Sequence, residues 1–246
     1  MTKIPKPPMI TMPAHPTNQW SRYGLPFDYI VLHYVGAVST ARNNGNYYGN
    51  TPHIGASAHF FVDEHEIVAS VPLTMSAGHC GVDYSGGKAP FWHKDGIDST
   101  NRRSIGIEMC CKKDSKGNWY IEPETVTRTV ALVRWLMQEF NIPIEHVIRH
   151  YDVCWKTCPE PWVRFPEQWQ DFKRRLTEEK EEEEEMQRFK TVAELPAHYQ
   201  DSVEKLVEMG VIKGRAPDNL DITEDMVRVA IWFGRMTGVL ETKEEA

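Results

Sequence analysis

The sequence predicts an α/β protein, a mixed central β-sheet flanked by helices, followed by a small all-α domain. Three observations predict it. Segments 29–35, 57–71, 104–110 and 147–150 are rich in β-branched and apolar residues and are bounded by polar loops. Between and after them lie two helix-period stretches, 123–140 and 166–176. A run of seven Glu and one Lys at 177–185 then separates this part from two further amphipathic stretches. Strands interleaved with helices in this order describe a sheet packed by helices.

A chain of 246 residues can hold one medium domain and a small second one. The composition places the boundaries at 1–176 for the larger domain, 177–187 for a Glu-rich linker and 188–246 for the smaller domain. Charge follows the same division. Residues 1–176 carry 19 Lys and Arg against 17 Asp and Glu, the Glu run is at −6, and 186–246 carry 8 against 11. With no basic patch, nucleic-acid binding gains no support. No apolar run approaches the ~20 residues a membrane span needs. The opening Met1-Thr-Lys-Ile-Pro-Lys-Pro-Pro lacks the apolar core of a signal peptide, so synthesis in the cytoplasm without a leader is expected. Five cysteines, Cys80, Cys110, Cys111, Cys154 and Cys158, form no regular framework and fit a reducing compartment.

Taken in order, residues 1–28 read as a Pro-rich lead-in draped over the surface. Strand 29–35 is followed by 36–54, rich in Asn, Gly and Tyr, which reads as a long loop. Residues 57–63 and 66–71 read as a hairpin turning at 63–65. His59 alternates there with apolar neighbours and reads as a core or supporting histidine. Residues 76–103 read as a polar loop. In strand 104–110, Ile105, Ile107 and Met109 share one face, and Glu108 shares the other with Ser104, Gly106 and Cys110. A carboxylate in an apolar strand needs a partner or a task; an ion pair with Arg149 is the plain alternative. Val126, Val130, Val133, Met137 and Phe140 make one helical stripe, and Asn141-Ile-Pro143 stops it. His146 reads as an exposed strand entrance, and Trp169 and Phe172 as the inward face of the closing helix. In the tail, Val203, Leu206 and Val207 line one helix that stops at Gly210. Thr223 caps another, with Met226, Val227, Ala230 and Ile231 as its buried stripe.

Chemistry concentrates at 147–161, Val-Ile-Arg-His-Tyr-Asp-Val-Cys-Trp-Lys-Thr-Cys-Pro-Glu-Pro. A strand end delivers His150, and a turn brings Lys156 and Cys158 back towards it. His33 sits near the end of strand 29–35. Two histidines and a cysteine suit Zn²⁺, and three protein ligands with a fourth position open is the arrangement of a catalytic site. A core histidine beside a buried thiol is the plainer alternative for His150 and Cys158, and Cys154 is a rival ligand.

Segments 29–36, 57–72, 104–111 and 147–161, in this order, resemble the zinc-dependent N-acetylmuramoyl-L-alanine amidases shared by phage endolysins, bacterial autolysins and peptidoglycan recognition proteins. The resemblance implies Zn²⁺ on His33, His150 and Cys158, the ligand standing directly before Pro159. It also implies Glu108 as general base and Lys156 facing the oxyanion. His79 would line the substrate groove, with weaker claims for His53 and His93, and Tyr34 and Trp155 are available for stacking. Some members carry a tyrosine before the histidine that matches His59; here Ala58 stands there, which puts the acid–base work on Glu108. The implied substrate is peptidoglycan, cut between N-acetylmuramic acid and L-alanine. Endolysins of this kind reach the wall after a separate protein permeabilises the membrane, consistent with the absent leader. The tail resembles helical modules appended to such amidases and, faintly, repeats that hold surface proteins on cell walls. Wall attachment and homo-oligomerisation through the tail helices are both expected possibilities, since a core this small often needs a partner. A non-catalytic peptidoglycan-binding module and an inhibitor built on the same fold are the competing readings; retention of Cys158 speaks for catalysis.

Overall fold

The computed structural model describes residues 3–81, 97–177, 188–215 and 219–240, with backbone alone at 97–99. It divides into two compact units, Met1–Glu178 and Glu179–Ala246. The first contains strands β1 (Ile10–Thr11), β2 (Gln19–Ser21), β3 (Tyr29–Val38), β4 (Phe60–Val62), β5 (Ile67–Ala69), β6 (Met75–Ala77), β7 (Ser104–Lys113), β8 (Trp119–Tyr120) and β9 (Val147–Arg149). Its helices are α1 (Ala41–Asn50), α2 (Ile97–Arg102), α3 (Pro123–Phe140), α4 (His150–Cys154), α5 (Glu160–Arg164) and α6 (Pro166–Thr177).

The sheet is mixed, ordered β1-β5-β4-β7-β3-β9, with β8 joined to the end of β7. The β4–β5 hairpin is antiparallel, while β4–β7, β7–β3 and β3–β9 are parallel. Alternation along the central strands sorts side chains between two layers. Ile30, Leu32, Ile105, Ile107 and Met109 point into a core filled by Leu132, Val133 and Leu136 of α3, Trp162 of α5 and Phe172 of α6. Val31 and Ile148 face the other side, among Cys80, Val153 and Cys154. Asn141, in the left-handed region at φ 53°, ends α3 where the sequence stops it. The buried face of α3 is broader than the expected stripe, because Leu132, Trp135 and Leu136 join it while Val126, Met137 and Phe140 are only partly buried.

The structure departs from expectation mainly in connections. Segment 36–54, expected as a loop, contains α1. Its Asn- and Gly-rich sequence has little helix propensity, so the helix depends on outside contacts. Thr40 Oγ1 accepts from Asn43 N at 3.1 Å, and Asp63 Oδ2 accepts from Ala41 N at 2.7 Å. Gly45 packs so closely that a Cβ would lie 2.9 Å from Val68 Cγ1. The other Asp63 oxygen accepts from His65 N and Glu66 N, both at 2.8 Å, and so forms the expected hairpin turn. The lead-in is not merely draped: β1 pairs with β5 and β2 with β6. The expected polar loop, 76–103, begins within β6 and contains α2. His146 lies in a 3-10 turn before β9, half-buried, its Nδ1 2.8 Å from Asp28 O and its ring on Tyr29.

The second unit holds α7 (Ala197–Glu208) and α8 (Glu224–Met236) around Phe189, Leu195, Val203, Leu206, Val227 and Ile231. Gly210, at φ 69°, ends α7, and Thr223 Oγ1 accepts from Met226 N at the start of α8. To the all-helical expectation the structure adds one two-residue ladder, β10 (Arg188–Phe189) with β11 (Ile222–Thr223). It also corrects the stripe on α8: Val227 and Ile231 are buried, but Met226 is exposed. Residues 178–187 of the expected linker lie outside the described residues.

Candidate metal centre

His33 reaches the site because it follows Val31 on the face of β3 turned away from the α3 core. Parallel register sets it directly beside Glu108 of β7. His150 is the first residue of α4, just past β9, rather than the last residue of a strand. Trp155, in the left-handed region at φ 62°, ends α4 and reverses the chain. Tyr151 N donates to Cys158 O at 2.9 Å and Cys158 N to Lys156 O at 2.7 Å, which folds the loop back over the site. Three sequence-distant ligand atoms of His33, His150 and Cys158 thereby lie within 4.8 Å of one another, all buried.

The hydrogen bonds assign each ring nitrogen a role. His150 Nε2 donates to Cys80 O. His33 Nε2 lies 2.9 Å from His79 Nδ1, and His79 Nε2 lies 3.2 Å from Ser104 Oγ. Ser104 Oγ in turn donates to Thr100 O at 2.7 Å. One consistent chain of donors runs His33 to His79 to Ser104 to Thr100. It leaves His33 Nδ1 and His150 Nδ1 as acceptors facing each other at 3.1 Å, with Cys158 Sγ 3.8 Å from His33 Nδ1. Around a tetrahedral zinc the N···N and N···S separations are about 3.3 and 3.5 Å. Facing lone pairs repel unless a cation or a proton lies between them, so the donor set, the spacing and the ring orientations all fit Zn²⁺.

Electrostatics agree. Burial, then neighbouring His150 and His79 and the charge of Lys156, holds His33 well below the ordinary histidine range. Burial and Lys156 lower His150 to about 4. Both rings are therefore neutral and able to ligate at neutral pH. Burial, then Glu108, raises the Cys158 thiol well above its usual value, so a cation that captures the thiolate must displace a proton. Glu108 is pushed up to about 8 by burial, with Lys156 opposing. Among the described residues its Oε2, which is buried, has no hydrogen-bond partner. Arg149 does not supply one: its guanidinium is held by Asp152 at 2.9 and 3.1 Å and by Trp162 O at 3.0 Å.

Other expected residues fall in three places. Lys156 is half-buried in the loop, close enough to act electrostatically on His33, His150, Glu108 and Cys158. Trp155 is exposed beside it, its ring edge-on to Tyr151. His79 is a correction: it is 7 % exposed with both nitrogens engaged, and it stands behind His33 rather than lining a groove. Gly106 makes that position possible, because a Cβ there would sit 2.4 Å from His79 Cγ. Tyr34 is a second correction. Register pairs it with Met109, on the opposite face from His33 and Glu108, and its hydroxyl donates to Glu160 Oε2 at 3.1 Å. Its backbone N–H donates to Cys158 Sγ.

Cys154 is turned away, its Sγ donating to Cys80 O and His150 O. His59 accepts from Gly106 N at 3.0 Å and its Nε2 lies 3.2 Å from Met75 O, a supporting core histidine. His53 is exposed, and His93 lies outside the described residues. Sequence reading missed Asn101, whose Oδ1 accepts from His79 N and Cys80 N, and the hydroxyl role of Ser104. Only Ser104 had a signal, since it shares a strand face with Glu108.

The sheet and its helices match solved structures of endolysin type. PlyL corresponds to 70% of this chain and 98% of its own, at 25% identity and a TM-score of 0.55. The catalytic domain of XlyA corresponds to 69% of this chain and 99% of its own, at 26% identity and a TM-score of 0.53. The architecture is that of an endolysin catalytic domain.

Residues 23–161 match the N-acetylmuramoyl-L-alanine amidase family, and the chain belongs to that family. The N-acetylmuramoyl-L-alanine amidase BlyA of Bacillus subtilis (strain 168) is 33% identical over 168 residues, covering 65% of this chain and 45% of BlyA. CwlL of Bacillus licheniformis is 31% identical over 173 residues, covering 65% of this chain and 44% of CwlL. The chain thus spans less than half the length of these relatives. Among the described residues no helix is long and apolar enough to cross a membrane.

Proposed function

We propose that this chain hydrolyses the amide bond between N-acetylmuramic acid and L-alanine in peptidoglycan, as a zinc-dependent phage or prophage endolysin that acts on the wall after release from the cytoplasm. The observation that carries the reading is a buried carboxylate oxygen on Glu108 with no hydrogen-bond partner among the described residues, in register with His33 and next to the converging His33, His150 and Cys158. Leaving such an atom unsatisfied costs about 1–3 kcal/mol, which a purely structural site would relieve.

His33, His150 and Cys158 would hold Zn²⁺, which supplies a Lewis acid for the carbonyl and lowers the pKa of water. Glu108 stands beside the ligands, with burial favouring its neutral form and the Lys156 charge favouring its carboxylate. It takes a proton from the attacking water and returns it to the departing amide nitrogen. Lys156 places an ammonium beside the developing oxyanion. His79 accepts from His33 Nε2–H and fixes its tautomer and its ring plane, with Ser104 and Thr100 anchoring His79 in turn. Trp155 offers an exposed aromatic surface to sugar or peptide next to that loop.

The test is mass spectrometry of purified wall material digested with and without a chelator. The expected products are stem peptides with free L-alanine amino termini beside intact glycan strands, lost on chelation. Cut glycan overturns the bond assignment, and wall binding without released peptide favours the non-catalytic module.

A further inference from the structure

We propose that the outward face of α8 is a self-association surface on which a second copy of this chain docks its own α8, antiparallel. The helix is apolar on two sides. Val227, Ile231 and Gly234 are buried within the unit, whereas Met226, Val229, Trp232, Phe233 and Met236 are all more than half exposed. At 100° per residue the exposed five occupy an arc of about 120° opposite the buried face. A surface helix ordinarily puts charge there. Met226, Val229, Phe233 and Met236 instead recur at intervals of three, four and three, the spacing of a seam between two helices.

Chemistry narrows the occupant. The stripe offers no hydrogen-bonding group beyond the Trp232 indole N–H, so it lacks the polar contacts that would select a sugar. The charges of α8, Glu224 and Asp225 against Arg228 and Arg235, sum to zero, so an anionic bilayer gains no electrostatic attraction. Those charges are separated along the axis, acidic at the start and basic at the end. A two-fold axis near the middle of the helix, between Val229 and Trp232, brings Asp225 of each copy alongside Arg235 of the other. A parallel pair would set like charges together. The five side chains expose roughly 600 Å² per copy, near the ~800 Å² per partner of a standard interface, as fits a weak reversible dimer.

Sedimentation velocity on the full chain, from about 1 to about 200 µM, tests this. The weight-average mass should climb from 28.4 kDa towards twice that value. The double variant V229E/F233E changes exposed positions only. It should keep its far-UV circular dichroism while its dissociation constant rises by about tenfold or more. D225R should weaken the dimer several-fold, and D225R/R235D should restore it. A wild-type chain that stays monomeric at the highest concentration overturns the proposal, whether or not it pellets with phosphatidylglycerol vesicles. A dimer indifferent to V229E/F233E places the interface elsewhere, and one indifferent to the charge swap removes the antiparallel arrangement.

Discussion

Ile107 and Glu108 are consecutive on β7, yet they occupy different environments. Ile107 points into a closed apolar layer shared with Leu132, Leu136 and Phe172. Glu108 points to a face where three histidines and a thiol are withdrawn from water and a half-buried carboxyl group stands among them. The first face stabilises the fold through burial alone. The second is destabilising group by group, since each member is driven away from its charged form, and it persists because the first face fixes the strands that carry it. Rigidity made on one side of the sheet holds reactive groups on the other.

The strongest challenge to that division is Glu108→Gln. Turnover should fall by about 10²–10⁴ with metal content unchanged. The same variant reads the second face thermodynamically. Glu108 goes from an ordinary 4.5 to about 8 on folding, so the folded chain holds more protons than the unfolded chain between those values. Glu108 therefore contributes a loss of stability to the metal-free protein as pH rises through that window, opposed below the ordinary histidine range by the buried His33, His79 and His150, whose contribution has the other sign. Glu108→Gln should remove that contribution, so the variant's stability relative to wild type should rise with pH across the window, as urea titrations on either side of it would show. A turnover rate equal to wild type would remove Glu108 from the chemistry.

Lys156→Ala comes next, with a loss of about 10²–10³ in kcat. Lys156 pulls the Glu108 pKa down, so its removal should move the acidic limb of kcat/KM to higher pH. An unshifted limb would mean that another group sets it. His79→Ala should act on the metal more than on the chemistry, weakening zinc affinity by about 10–100-fold in a chelator competition. Unchanged affinity would reduce His79 to packing. Ile107→Ala has the smallest effect on turnover and sharpens the comparison most. It should cost about 2–5 kcal/mol in unfolding free energy, with kcat near wild type below the melting transition. A collapse in kcat would show that the two faces are not separable.

Period-two alternation made much of this readable in advance. It put Ile105, Ile107 and Met109 on one side and Glu108 on the other, and the structure agrees. The same rule, applied to His33 and Tyr34, would have excluded Tyr34 from the site, because consecutive strand residues cannot share a face. The illegible parts depend on contacts that no local pattern encodes. Helix α1 is held by Asp63, over 20 residues away, and by packing of Gly45 on Val68. The partner that turns His79 inward is Ser104, 25 residues on. On α8 an apolar pattern runs round the helix, so sequence alone could not say that Val227 and Ile231, but not Met226, would be covered.

The hollow above Gly106 ties two positions of the chain into a shared history. Alanine at 106 would thrust its methyl carbon to within 2.4 Å of the imidazole carbon of His79, so the ring would have to shift. Any lineage that enlarges residue 106 must first move or surrender the imidazole, and one that has surrendered it is free to fill the gap. The two residues therefore constrain each other's replacement, because the space that one vacates is the space the other needs.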